Sequence, residues 1–149
     1  MSSEEERMNR LIVESRLLES TFNELTNRQG MLERMLIESR ASLETIKEVG
    51  SSSTDEVLVP VGAGVLLRAS PPRSDKVLVS VGANVVIEKT KAQAEKILEE
   101  RSKDLEENIV AILNQRNQIA QRLEADRRAL QAFIDAQDQE KLPQQGQPR

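Results

Sequence analysis

The chain has 149 residues, the length of one ordinary domain, but 31% are charged and 1% aromatic, which excludes a conventional globular core. Its formal net charge of -4 arises from interleaved signs, with 10 acids and 7 bases over 1–49, 4 and 4 over 50–89 and 11 and 10 over 90–149, so no basic face is offered to nucleic acid. There is no His, Cys or Tyr, which removes disulfides, thiolate chemistry and the usual acid–base and nucleophile sets.

The opening MSSEEERMNR is acidic and lacks an apolar run, so no secretory signal is expected there, and the longest apolar runs fall far short of the ~20 residues that span a bilayer. Ser2 or Ser3 followed by glutamates predicts a helix start. Over 4–49 the spacing alternates three and four: Met8, Leu11, Ser15, Leu18, Phe22, Leu25, Gln29, Leu32, Leu36, Ser39, Leu43, Ile46. Nine of these twelve positions are apolar, which predicts a coiled-coil helix, a rod of roughly 65–70 Å at about 1.5 Å per residue. Gly30 interrupts it at a cost of about 1 kcal/mol relative to Ala. The polar seam residues Ser15, Gln29 and Ser39 have two readings: they loosen the zipper so that the pair splays, or they set its register. Gly50 and the serines after it predict the helix end and a loop.

The middle of the chain, 50–89, is a duplication. EVLVPVGAGVLLRA at 56–69 returns as KVLVSVGANVVIEK at 76–89, joined by a Ser70–Asp75 loop. Each copy predicts a β-hairpin, with strands at about 56–61 and 64–69, then 76–81 and 84–89, and turns at Gly62-Ala63 and Gly82-Ala83. Gly64 and its counterpart Asn84 both tolerate the left-handed region. Pro60 lacks a ladder donor and belongs at an edge. Two isolated hairpins carrying Val57, Val59, Val61, Val65, Leu67, Val77, Val79, Val81, Val85 and Ile87 leave open edges and apolar faces. Either they pair with hairpins of sister subunits in a closed oligomer, or the chain's own helices cover them.

Thr90 is placed to cap a second helix over 90–138, whose seam runs Leu98, Ser102, Leu105, Ile109, Ile112, Arg116, Ile119, Leu123, Asp126, Leu130, Phe133. Residues 139–149, rich in Gln and Pro, read as a disordered tail. The fold class is therefore α+β: a long antiparallel helical coiled coil with two central β-hairpins as an oligomerisation platform. Folding back brings Ile46 near Leu98 and Leu11 near Leu130. Both chain ends then meet, and they keep apolar residues: Met8, Leu11, Ile12 and Val13 on one side, Leu123, Leu130, Phe133 and Ile134 on the other. Either these are frayed apolar turns that form a binding surface, or they complete the zipper. The Val-Gly-Ala-Gly run does not fit a phosphate loop, because no Lys-Ser/Thr follows and a strand comes next. No cofactor, metal or enzymatic activity is expected, and neither nucleic acid nor membrane as a partner.

A coiled-coil helix, hairpins of the VLVPVGAGV and VLVSVGANV kind and a second coiled-coil helix resemble, over about 5–138, the archaeal-type α class of prefoldin subunits. The duplicated hairpin is the discriminating feature, since β-class subunits have one. The resemblance implies a cytoplasmic heterohexamer of two α-type and four β-type subunits, with hairpins in a double β-barrel platform and coiled coils hanging from it. It implies no ATPase, capture of unfolded polypeptide clients at the coiled-coil tips and delivery to a group II chaperonin. The competing expectation is a static scaffold or spacer docking one fixed partner.

Overall fold

The computed structural model describes residues 2–51 and 56–142. Two helices flank two hairpins: α1 Ser3–Ser51, β1 Val57–Gly62, β2 Val65–Ala69, β3 Lys76–Gly82, β4 Val85–Thr90 and α2 Lys91–Lys141. Both helices open on a reciprocal cap. The Glu5 amide donates to Ser2 Oγ and the Ser2 amide to Glu5 Oε2, each at 3.2 Å. In α2 the Gln93 amide donates to Thr90 Oγ1 at 3.2 Å and the Thr90 amide to Gln93 Oε1 at 3.0 Å. Each exchange satisfies two amides that have no partner within the helix. Glu4, Glu5 and Glu6 then face the positive end of the α1 dipole.

Both helices outrun their expected ends. α1 passes through Gly50 to Ser51. α2 continues to Lys141, because Gln137, Asp138, Gln139 and Glu140 carry no breaker before Pro143. The expected tail from Pro143 onward, and most of the serine loop after α1, lie outside the described residues.

The chain divides into two compact units. One holds Leu32–Asn108; the other holds the segments on either side of it. In each, the heptad positions named above are all buried or half-buried. The buried apolar side chains among the described residues are few: Leu36 and Ala94 in the first unit, Ile109 and Ile112 in the second. That thin core is what a single pair of helices can bury.

The hairpins form two separate two-stranded sheets, β1–β2 and β3–β4. Their turns differ from the sequence expectation. Gly62 pairs with Val65 and Gly82 with Val85, so the turns are Ala63-Gly64 and Ala83-Asn84. All four lie at positive φ: 51° and 78° in the first copy, 49° and 59° in the second. That is the two-residue turn whose twist suits antiparallel strands. Gly62 and Gly82, at φ 105° and 104°, sit instead in a bulge that shifts the register between 60 and 62 and between 80 and 82. Both sets of glycines read alike in sequence, and only the pairing separates turn from bulge.

The two copies are held differently. In β3–β4, Val77, Val79, Ile87 and Lys89 share one half-buried face, and Leu78, Val86 and Glu88 lie on the exposed one. Arg101 Nη2 of α2 donates to the Ser80 carbonyl at 2.7 Å, and the Lys91 amide to the Asp75 carbonyl at 2.8 Å, which fastens this copy to its helix. In β1–β2 every residue except Val57 is exposed, on both faces.

Candidate functional site

The start of α1 and the end of α2 come together in the unit formed by the outer helix segments. Met8, Leu11, Ile12, Leu123, Leu130 and Phe133 turn into the seam and are half-buried. Val13, 66% exposed, and Ile134, 48% exposed, face outward. Leu17, one turn beyond Val13 on the same face, is 68% exposed. It was not among the expected contact residues, which on α1 end at Val13. Its i,i+4 spacing from Val13 was the available signal. Asn9, Arg10 and Glu14 rim these two in a shallow apolar hollow of about 400 Å³.

Charged side chains hold this end together across the helices. Arg122 donates to Glu14 Oε1 through Nε at 2.9 Å and Nη2 at 2.8 Å, and its Nε lies 3.3 Å from Asp126 Oδ1. Asp126 is 2% exposed and also accepts from Ser15 Oγ at 3.4 Å. A carboxylate taken that far from water needs both partners. Arg7 lies over the Phe133 ring at 6.0 Å and Arg116 over Phe22 at 4.7 Å, so the two aromatic rings also serve as seats for cations. On the outer surface, Arg127 bonds both Glu124 oxygens at 3.1 Å. That hydrogen bond, with the charge of Arg127 and then Arg128, holds the Glu124 carboxyl below its ordinary range and pushes the Arg127 guanidinium up.

The second candidate surface is the pair of hairpins. Of the expected assembly residues, Val59, Val61, Val65, Leu67, Val81 and Val85 are exposed, whereas Val57, Val77, Val79 and Ile87 are half-buried in the chain itself. Leu58, Leu66, Leu78 and Val86, not singled out in the sequence, are exposed to 59%, 53%, 75% and 54%. Strands that are apolar at nearly every position conceal which face is free. Among the described residues no cluster of three His, Cys, Asp or Glu could hold a metal, and no helix is long and apolar enough to cross a membrane.

Residues 18–135 match the family model of the prefoldin subunit, a span that takes in most of each helix and both hairpins. The chain belongs to the prefoldin family. It is of the α type, with two hairpins. It is 28% identical over 144 residues, 97% of this chain and 96% of the relative, to prefoldin subunit alpha of Nitrosopumilus maritimus (strain SCM1). A chain from the cryo-EM structure of filamentous prefoldin from Methanocaldococcus jannaschii superposes with a TM-score of 0.64 at 26% identity, covering 78% of this chain and 95% of that one. Prefoldin membership makes this a chaperone-type subunit of an oligomer.

Proposed function

We propose that the chain is one subunit of an ATP-independent holdase. Its hairpins join those of other prefoldin subunits, two α-type chains with four β-type ones. Its paired helix ends capture non-native polypeptides for transfer to a group II chaperonin. The observation that carries this reading is apolar surface left open at two separate places: Val13, Leu17 and Ile134 at the paired helix ends, and the faces of the β1–β2 hairpin. Surface of this kind on a charge-rich chain needs a partner. Each end offers only a few apolar side chains, so a single end binds weakly. Several ends on one platform raise the effective concentration and give avidity. Contacts of that sort discriminate little between clients, and the function requires none. No catalytic step is assigned, and the lack of cysteine suits the reducing cytoplasm.

The test is suppression of aggregation of several unrelated denatured proteins by the assembled complex, without nucleotide. The expected result is protection of all of them, lost when residues 1–17 and 130–149 are removed from a complex that still assembles. Full protection after that truncation would contradict the assignment of the ends. Protection of none by the intact complex would favour a static scaffold.

A further inference from the structure

Two pairs of polar interruptions of the seam fall opposite one another, and a third pair meets across adjacent layers. Ser15 Oγ meets Asp126 Oδ2 at 3.4 Å, Arg116 Nη1 meets Gln29 Oε1 at 2.5 Å, and the Ser39 and Ser102 hydroxyls meet at 3.0 Å. These six are the polar residues of both heptad seams; Ser15, Asp126, Ser39 and Ser102 face polar partners, while Arg116 reaches Gln29 from one layer away and covers the Phe22 ring at 4.7 Å. Asp126 and Ser102 are buried, 2% and 8% exposed. Arg116 Nε is buried with no hydrogen-bond partner among the described residues, so its guanidinium already stands at the limit of what the seam satisfies.

We infer that these three polar pairs are a register lock for the antiparallel helices. A heptad pattern by itself fits equally well after a slip of one heptad, because each apolar residue meets another. The polar pairs do not. Sliding α2 by one heptad in one direction sets Ser15, Gln29 and Ser39 against Phe133, Ile119 and Ile109. Sliding it in the other sets them against Ile119, Leu105 and Glu95. Asp126, Arg116 and Ser102 are meanwhile driven against Phe22, a leucine and Ile46, or against Met8, an apolar residue and a leucine. Every slip buries polar groups without partners, a larger penalty than any exposed ion pair restores. The cross-helix pairs Arg40–Glu106 and Lys47–Glu99 lie on the exposed flanks and add little discrimination. Register matters to the molecule whatever its clients, because a slipped pair leaves the apolar end of one helix without its neighbour. The inference concerns the fold and does not rest on the proposed function.

The chain contains no cysteine, so an introduced pair reports register cleanly. A short bis-maleimide joins Arg40→Cys to Glu106→Cys in the native alignment. It joins Arg40→Cys to Leu113→Cys or to Glu99→Cys after a slip in either direction. The full chain with native polar pairs should cross-link only in the first combination. Two variants then decide. One replaces all six polar seam residues with leucine; the other moves the polar residues of α2 by one heptad (Asp126→Leu with Phe133→Asp, Arg116→Leu with Leu123→Arg, Ser102→Leu with Ile109→Ser). Cross-linked peptides identified by mass spectrometry should include slipped pairs in the first variant. In the second, Arg40→Cys should join mainly to Leu113→Cys. Circular dichroism shows which variant is folded, and either one suffices. Native pairing alone in a folded variant would overturn the lock and assign register to the hairpin connection instead.

Discussion

Ala63 and Ala83 sit at φ 51° and 49°, where a Cβ crowds the following carbonyl. Replacing each by glycine should stabilise its hairpin by about 1 kcal/mol, less the extra freedom glycine gives the unfolded chain. Denaturant melts of the two single variants measure this. Gly30 presents the opposite case. It lies inside α1 with helical φ and open space where a Cβ would go. Gly30→Ala should raise stability by about 1 kcal/mol, and an unchanged melting midpoint would contradict that account of the position. Arg122 bonds half-buried Glu14 and buried Asp126 together. Arg122→Ala should therefore cost about 1–3 kcal/mol, more than Glu14→Ala, because it leaves the Asp126 carboxylate with Ser15 alone. Glu124 behaves differently again. Its folded carboxyl titrates below the ordinary value of 4.5, so its small contribution is fully present above that value and is lost as pH falls through the folded one. Glu124→Gln should flatten the acid limb of the stability profile and leave stability at neutral pH almost unchanged.

At the scale of elements, the helices were legible because a sustained alternation of three and four specifies which side of a helix is covered. The seam residues from Met8 to Ile46 and from Leu98 to Phe133 are all buried or half-buried. The pairing of polar seam residues was not legible, because each helix shows its own interruptions but not which ones meet. The hairpins were legible as hairpins and not in detail. A glycine signals a positive φ without saying whether it serves a turn or a bulge, so the turn centre fell one residue away from the expected Gly62-Ala63. Their faces were hidden for a different reason. In VLVPVGAGVLLRA alternate positions are apolar on both sides, and only the docking of β3–β4 through Arg101 and Asp75 separates a covered face from a free one. That difference makes a prediction at this scale. Leu66→Asp changes an exposed strand residue and should leave the helical content and melting of the isolated subunit intact while abolishing assembly. Val79→Asp strikes the half-buried face and should lower both. Intact oligomers of Leu66→Asp, sized by light scattering, would remove the β1–β2 face from the joint.

For the whole molecule, the account depends on a division of labour. The helices bury too narrow a stripe to make a large core, and the hairpins bury still less. Both are therefore marginal alone, and assembly supplies what folding of one chain leaves unfinished. Multivalent presentation of the paired ends follows only if the hairpins join. The most direct measurement is the mass of the species formed when this chain is mixed with a one-hairpin prefoldin subunit, read by native mass spectrometry. The account predicts a closed complex of two copies of this chain and four of the partner, absent when Leu66→Asp is substituted. A chain that stays monomeric beside such partners, or a complex that survives Leu66→Asp unchanged, would contradict it.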